Sequence, residues 1–341
     1  VTSLMLAVDE SCVADSSSSS SWDVRGLVFR HVKRSLRAIS AFTVALGLWL
    51  SGQIDAAQNR SNAAMTSVEI IASNTLTIEI NHDIDVIGET RSRFETGRSL
   101  ITGLSVNQAI ARLAESFVGN PYLAKSLDAD GPEKLRLDLM QFDCMLFVEQ
   151  LLALAWSESF DQFSARTQRL RYRDGEVSYC NRWHYFHDWV GSAVRQGMLE
   201  ADFALEGEIS RSLPLNFMSS NRSLYPKLQS NVLFDCISSL EDSRRVQQRF
   251  IPLEAIESVL PSLQSGDLFA IATRVEGLDV SHTGVLVRSG SRMDAIHAAP
   301  GEGVMRSPGL ARYLRSVPDA IGVVIVRPTA SAIGTQHSDN V

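Results

Sequence analysis

The order of two hydrophobic patterns limits what this chain can fold into. From residue 105 onward, apolar residues such as Val106, Ile110 and Leu113 recur at helical spacing. The last third instead contains short β-rich runs separated by turn residues, which favours an antiparallel sheet. These runs are residues 267–273, 282–287, 293–297 and 322–326. Helices that precede strands, rather than alternating with them, predict an α+β domain with N-terminal helices packed on an antiparallel β-sheet.

Three helices are predicted ahead of the strands. The first begins after Ser105, a good N-cap residue, and ends at the turn-forming residues 119–121. A second is expected over residues 132–140. The third follows Asp143, because apolar residues continue for three turns beyond it. This places Cys144 in or next to the first turn of that helix.

Residues 1–57 are interpreted as an export signal with an over-extended N-terminus ahead of it. Residues 25–37 contain five basic side chains and no acidic one, and residues 38–50 are thirteen residues without a charge. A basic segment, a short apolar segment and small residues indicate a signal cleaved near Ala56. An uncleaved anchor or a buried helix is the alternative. About 20 apolar residues are needed to span a bilayer, so we expect no stable membrane span after cleavage and a periplasmic or extracellular protein.

The charge and the motifs of the chain argue against some classes of function. The formal net charge is −7 and there is no long Lys/Arg run, which argues against a dedicated nucleic-acid binder. The polar, mixed residues 58–98 are expected to form a linker with peripheral elements, including a strand at 76–80. Neither a cofactor motif nor a CxxC pair occurs, so no cofactor and no structural metal site are predicted.

Export would leave three cysteines in an oxidising compartment. Three is an odd number, so one thiol is left over or pairing is intermolecular. Cys180 and Cys236 could form a disulfide while Cys144 stays reduced for chemistry. Three unpaired thiols are the alternative, which sequence reasoning leaves open.

Cys144 is the candidate nucleophile. A helix N-terminus presents unpaired N–H groups and partial positive charge, which lower a cysteine pKa from about 8.5 to roughly 3.5–7.5. Asp143 and Cys144 at the start of a long apolar helix would therefore make a reactive thiol on a rigid base. A small buried core residue is the competing interpretation of the same cysteine.

Two histidines strengthen the catalytic interpretation. His282 opens one predicted strand and His297 ends the next, fifteen residues further on. A hairpin between them would bring both imidazoles to the same end of the sheet. A cysteine nucleophile needs one imidazole beside the sulfur and a third group that orients that imidazole. His184 and His187 compete for either role.

Taken in order, these motifs resemble those of the NlpC/P60 cysteine hydrolases. Residues 281–304 (SHTGVLVRSGSRMDAIHAAPGEGV) look like the histidine-containing hairpin of that family. FDCMLFVE, from Phe142, resembles its Asp-Cys helix start, and GNPY at 119–122 resembles its Gly-x-Pro-Tyr segment. FDCMLFVEQLLALA together with RWHYFHDW is similar to the DUF1460 branch, described as N-acetylmuramoyl-L-alanine amidase-like. Two departures are Thr283 after the histidine and Met145 after the cysteine.

The resemblance implies a papain-like NlpC/P60 core and a set of roles. Cys144 would be the nucleophile, His282 the general base and acid, and His297 the orienting third member. The backbone N–H of Cys144, helped by Tyr122, would supply the oxyanion site. The catalytic domain would cover residues 99–328.

The RWHYFHDW segment would then line the substrate cleft. Its charged residues would bind the ends of a peptide, and its aromatic rings would contact sugar. A hydrophobic mini-core under a long loop is the alternative for the rings. The implied substrate-binding residues are Arg182, Trp183, His184, Tyr185, Asp188 and Trp189. Glu149, further along the cysteine helix, is expected to pair with a buried arginine.

The implied function is that of a cell-wall peptidoglycan amidase. It would cleave the N-acetylmuramoyl–L-alanine amide of muropeptides through a cysteine thioester, without a cofactor. One alternative is a γ-D-glutamyl endopeptidase or an acyltransferase with the same triad. Another is a non-catalytic peptidoglycan-binding module. Residues 329–341 are expected to form a flexible tail.

Overall fold

The computed structural model describes residues 84–200 and 203–330. The predicted export signal of residues 1–57, its cleavage near Ala56 and the predicted strand at 76–80 lie outside the described residues. So does most of the predicted tail at 329–341.

Helices dominate the first half of the described chain and strands the second half. The first half contains β1 (Ile84–Val86), α1 (Thr90–Ile101), α2 (Val106–Ser116), β2 (Leu135–Leu137), α3 (Cys144–Ala155), α4 (Phe160–Arg171) and α5 (Phe186–Arg195). The second half contains β3 (Ile209–Pro214), α6 (Phe217–Ser220), α7 (Asn231–Glu241), β4 (Arg245–Pro252), α8 (Ile256–Val259), β5 (Leu268–Thr273), β6 (Val280–Ser289), β7 (Arg292–Ala299), β8 (Gly303–Ser307), α9 (Leu310–Ser316) and β9 (Ala320–Val326).

The main sheet has seven strands in the order β3-β4-β9-β5-β6-β7-β8. All its neighbouring strands are antiparallel. The predicted α+β class and antiparallel sheet are therefore confirmed. The four predicted β-rich runs correspond to β5, β6, β7 and β9, which are largely buried. β3 and β4 were not predicted, because polar residues occupy half of each strand.

The prediction of a helix over residues 132–140 is wrong. Leu135–Leu137 is the strand β2, which pairs in parallel with β1. Leu135 and Leu137 are buried and the residue between them is not, so the alternation is that of a strand. The Asp138 side chain then accepts hydrogen bonds from the backbone N–H groups of Met140 (2.9 Å) and Gln141 (3.3 Å), which turns the chain towards α3.

The predicted start of α2 is confirmed. Ser105 is the N-cap, and its hydroxyl accepts from the Gln108 backbone N–H while the Gln108 side chain accepts from the Ser105 backbone N–H. This reciprocal capping box satisfies two N–H groups that a helix start would otherwise leave unpaired.

α3 is buried along its whole length, from Cys144 to Ala155. It packs on β6 and β7 on one side and on α1, α2 and α4 on the other. Its single charged residue, Glu149, pairs with buried Arg171 (Nη2–Oε1 2.6 Å), as the sequence predicted. Gln150 donates to the carbonyl of Asp138 at 3.0 Å. These pairs allow the helix to be enclosed, because an unpaired buried charge would strongly destabilise the fold.

The two faces of the sheet belong to different cores. Val285 and Ile296 face α3 and join the large helical core. Phe269, Leu286 and Ala295 join a second core, to which α9 contributes. The central strands are therefore covered on both sides.

Gly284 occupies a position in β6 that has no room for a side chain. A Cβ there would lie 2.5 Å from the Ile296 carbonyl oxygen, 2.7 Å from the Phe269 ring and 2.8 Å from the His297 Cβ. The absence of a Cβ lets β6, β7 and the Phe269 ring approach one another.

We expect Gly284→Ala to lower the free energy of unfolding by about 1–3 kcal/mol, the usual cost of forcing extra atoms into a packed core. Urea denaturation measures the loss. Gly191→Ala is the matched control, because a Cβ there meets only the flexible end of Arg195 at 3.4 Å and the site is helical. The control should be neutral or more stable by up to about 1 kcal/mol. Equal stability of Gly284→Ala and the wild type would contradict the close approach.

Candidate active site

Cys144 is the first residue of α3, and Asp143 is its N-cap. One carboxylate oxygen of Asp143, Oδ1, accepts from the backbone N–H groups of Met145 (3.0 Å) and Leu146 (2.8 Å). The cysteine is 2% exposed. The structure thus places Cys144 at a capped helix N-terminus, as expected, and encloses it more fully than the sequence indicated.

Tyr122 lies on the segment that runs beside this helix start. It forms a parallel bridge with Phe142, two residues before the cysteine. Leu123 donates to the Phe142 carbonyl at 3.0 Å, and Phe142 donates to the Pro121 carbonyl at 3.1 Å. These bonds hold the half-buried Tyr122 next to the α3 N-terminus.

The same segment is joined to the sheet. Gly119 donates to the Val304 carbonyl at 2.8 Å, and Val304 donates to the Asn120 carbonyl at 2.8 Å. The Asn120 side chain donates to the Met140 carbonyl at 3.0 Å. The GNPY segment therefore connects β8 to the residues that lead into α3.

Asp143 is fully buried and differs from an ordinary N-cap carboxylate. Its pKa is raised to about 7, mainly by burial and also by the nearby Glu149, although the hydrogen bonds from Leu146 and Met145 act in the opposite direction. Its second oxygen, Oδ2, has no hydrogen-bond partner among the described residues. The helix start therefore carries a carboxyl group that titrates near neutral pH.

The structure brings His282 and His297 together. His282 Nε2 lies 2.9 Å from His297 Nδ1, and the rings are nearly perpendicular with centroids 4.8 Å apart. The far nitrogen of His297, Nε2, lies 2.9 Å from the hydroxyl of Ser307 on β8. The ring of His297 also stacks on Tyr313 of α9 at 4.6 Å. Sequence reasoning missed Ser307 and Tyr313, for which no motif existed.

Burial sets the charge of both rings. It lowers the pKa of His282 well below the usual value of 6.5, and the neighbouring His297 lowers it further. Burial also lowers the pKa of His297 to about 4. Both imidazoles are therefore neutral near pH 7, so each one holds its proton on one nitrogen only.

A β-bulge occurs in β6 next to His282. Ala270 pairs with Thr283 and Ala272 with Val280, so the strand step is longer on β6 than on β5. A bulge redirects a side chain relative to regular alternation. The helix α3 packs on one face of the sheet, whereas His297 contacts Tyr313 of α9 on the other face. A change in the direction of the His282 side chain therefore affects which face its ring approaches.

A cavity of about 360 Å³ opens beside the histidine pair. Both rings and Ser281 line it together with mainly apolar or hydroxyl side chains, and Cys144 does not line it. The other lining residues are Ala299, Pro300, Met305, Ser307, Tyr313, Ser316, Val317 and Pro318.

Arg182 and Trp189 are both nearly fully buried, although Arg182 lines a small cavity with His184, Tyr185 and Asp188, and their predicted contacts with substrate stay predictions. Arg182 is 2% exposed and pairs with Asp128 (2.9 Å) and Glu133 (2.7 Å). Trp189 is 1% exposed and belongs to the helical core. Two carboxylates already neutralise the arginine, and the indole has no open face for a sugar.

The remaining predicted cleft residues also have internal partners. The Tyr185 hydroxyl donates to buried Glu241 at 2.5 Å, and Asp188 pairs with Arg244. Buried His184 has its Nε2 2.8 Å from the Tyr179 carbonyl. This favours the alternative in which the segment mainly packs a local core. Trp183 is half-buried, with Arg173 over its ring at 4.6 Å.

His187, a competitor for a catalytic role, lies in a different pair. Its Nδ1 lies 2.9 Å from a carboxylate oxygen of Asp279, and its backbone N–H donates to the same oxygen. Asp279 is fully buried just before β6, and its other oxygen accepts from Val280. This pair ties the start of α5 to the start of β6.

A disulfide joins Cys180 to Cys236. It links the loop before α5 to α7, and Cys144 takes no part in a disulfide with another described residue. Within residues 84–200 and 203–330, no group of three or more His, Cys, Asp or Glu side chains could hold a metal ion. In the same part of the chain, no helix has the length and apolar character needed to cross a membrane.

A family model and a solved structure that are similar to this chain share the description of an amidase. A family model described as N-acetylmuramoyl-L-alanine amidase-like (AmiA-like) matches residues 112–323. The crystal structure of an N-acetylmuramoyl-L-alanine amidase from Bacteroides uniformis is 29% identical, with a TM-score of 0.61 over 66% of this chain and 99% of that one. No curated protein matches the sequence.

Two further solved structures are similar. One from Bacteroides fragilis, provisionally described as a xylanase, is 31% identical, with a TM-score of 0.57 over 63% of this chain and 98% of that one. A Legionella pneumophila protein of the DUF1460 family is 18% identical and shares the fold, with a TM-score of 0.56 over 72% of this chain and 96% of that one.

We expect Asp143→Asn to change how stability depends on pH. The folded pKa of Asp143, about 7, lies above its ordinary value of 3.8, so the folded state holds a proton that the unfolded state has lost between these values. The stability that Asp143 contributes is therefore present at low pH and falls as pH rises through that window. Asparagine keeps the cap oxygen and never ionises.

Urea unfolding of both proteins between pH 4 and 8 tests this. The stability of Asp143→Asn relative to wild type should rise by up to about 4 kcal/mol between pH 4 and pH 7 and then level off. Glu302→Gln, at an exposed position, is the control and should show no such slope. A difference that does not vary with pH would mean that Asp143 ionises normally.

Proposed function

The chain belongs to the N-acetylmuramoyl-L-alanine amidase-like family, and from this premise we propose that it hydrolyses the N-acetylmuramoyl–L-alanine amide of peptidoglycan with Cys144 as nucleophile. The observation that carries the proposal is the 2.9 Å contact between His282 and His297. The elements that bear these rings, β6 and β7, are the strands on which the cysteine helix α3 packs. A papain-like NlpC/P60 core is part of the same proposal.

The first half of the reaction forms a thioester. His282 takes the thiol proton of Cys144 on Nδ1, because its Nε2 is engaged with His297. The sulfur attacks the amide carbonyl carbon, and the oxyanion is stabilised by the backbone N–H of Cys144 and by Tyr122. The C–N bond then breaks, and His282 returns the proton to the departing amino group of L-alanine.

The second half releases the acid. With the peptide gone, His282 takes a proton from a water molecule, whose oxygen attacks the thioester carbonyl carbon. The C–S bond breaks, the muramoyl carboxylic acid leaves, and the proton returns to the Cys144 sulfur. His297 supports both halves, because its Nδ1 lone pair stabilises the imidazolium that forms on His282.

The surroundings of the histidine pair favour amide over glycoside chemistry. Most glycoside hydrolases use two carboxyl groups that flank the scissile bond. Within the described chain, none of the residues that line the cavity beside the pair is Asp or Glu. An uncharged cavity also suits the sugar side of the amide better than the free carboxylate of a D-glutamyl residue.

The remaining features fit an exported cell-wall enzyme. We propose that residues 1–57 direct export and that the protein acts in the periplasm or outside the cell, where muropeptides are found. Arg182 and Trp189 are not part of the proposed substrate site, because both are enclosed.

Purified muropeptides of defined structure test which bond is cleaved. Mass spectrometry should show intact stem peptides with a free L-alanine amino group and a peptide-free muramoyl sugar. Products cut after D-glutamate would favour the endopeptidase alternative, and transfer to an added amine without hydrolysis would favour the acyltransferase. Binding without any product would indicate a binding module. Each of these three outcomes overturns the proposed bond.

We expect Cys144→Ser to lower kcat by about 10³-fold or more while the fold is kept, since a serine hydroxyl is far less acidic than a thiol. Initial rates on a muropeptide substrate measure the loss, and intact-protein mass spectrometry should trap a muramoyl thioester on the wild type. Cys180→Ser/Cys236→Ser, which removes the disulfide and leaves Cys144 and both histidines unchanged, is the matched control and should stay active if folded. Full turnover by Cys144→Ser would exclude the thioester.

A further inference from the structure

Ser307 is the last residue of β8 and has no assigned role. β8 pairs with β7 so that Ala295 is opposite Ser307 and His297 is opposite Met305. Ser307 and His297 are therefore diagonal neighbours on adjacent strands, and such neighbours can touch. Their contact is direct, with 2.9 Å between the Ser307 hydroxyl oxygen and His297 Nε2.

The contact completes a row of polar groups across three strands. His282 on β6, His297 on β7 and Ser307 on β8 are joined by two hydrogen bonds of 2.9 Å each. Each neutral imidazole in the row has one N–H donor and one acceptor nitrogen. The direction of one bond therefore decides the direction of the other.

Only one direction suits the proposed reaction. To take a proton on Nδ1, His282 must carry its own proton on Nε2 and donate it to His297 Nδ1. His297 must then carry its proton on Nε2 and donate it to Ser307. The requirement is the same once His282 is an imidazolium, because its Nε2–H still needs an acceptor.

The opposite direction would disable the site. If the Ser307 hydroxyl donated to His297 Nε2, the His297 proton would sit on Nδ1 and point at His282. His282 would then hold its proton on Nδ1, where it could not receive the thiol proton.

We propose that Ser307 is a positioning residue that accepts a hydrogen bond from His297 Nε2 and thereby stabilises the tautomer of both histidines that the reaction needs. It does not touch the reacting atoms. Tyr313, stacked on His297 at 4.6 Å, keeps the ring in the plane that reaches Ser307. The inference rests on the proposed function, because the proton transfer to His282 chooses the direction, but the tautomers can be measured without turnover.

Kinetics provide the first test. Ser307→Ala should lower kcat roughly 3- to 10-fold, the range expected for losing one hydrogen bond, with little change in KM. Ser307→Thr keeps the hydroxyl and should recover most of kcat. Ser316→Ala is the matched control, because Ser316 lines the same cavity but donates to the Tyr313 carbonyl at 2.7 Å. Unchanged kcat in Ser307→Ala, or an equal loss in the control, would overturn the proposal.

Nitrogen-15 NMR of the histidine rings provides the second test, which needs no turnover. Wild-type protein at pH 7 should show His297 and His282 both protonated on Nε2, and Ser307→Ala should lose this preference at His297 while its circular dichroism stays unchanged. Protonation of wild-type His297 on Nδ1 would overturn the proposal. If the wild type hydrolyses no muropeptide yet shows the expected tautomers, the proposed function fails and the hydrogen-bond direction stands.

Discussion

The enclosure of α3 is the constraint on which the rest of the structure depends. A helix buried on every side cannot leave a polar group unpaired, so Glu149 meets Arg171 and Gln150 meets Asp138. Those bonds tie α4 and the β2 segment to the helix. The same enclosure fixes the position of Cys144, because α3 cannot move without disrupting the large helical core that covers one face of the sheet.

Enclosure also determines the protonation of the site. Asp143 and the two histidines are largely buried, and burial shifts the pKa of each one in the direction that favours its neutral form. In an exposed site, solvent would exchange with every partner and tautomers would interconvert freely. Here the direction of a few hydrogen bonds decides which nitrogen can receive a proton.

The sheet brings distant parts of the chain into one place by pairing rather than by proximity in sequence. Residues 119–123 join β8 to the segment that leads into α3, and the bulge in β6 lies next to His282. Arg182 shows the other consequence of packing. Its positive charge predicted a contact with the ends of a peptide, yet it forms ion pairs with Asp128 and Glu133. A buried guanidinium is stable only when carboxylates neutralise its charge.

The sequence by itself determined the elements whose physics is local. The Ser105 and Asp143 caps, the apolar periodicity of α2 and α3 and the β-rich runs of β5, β6, β7 and β9 follow from neighbouring residues, and so does the candidate set of Cys144, His282 and His297. Only the tertiary structure decided that 135–137 is a strand, that Trp189 is core and that Ser307 meets His297. These outcomes depend on which strand pairs with which and in what register, and no short-range pattern encodes that choice.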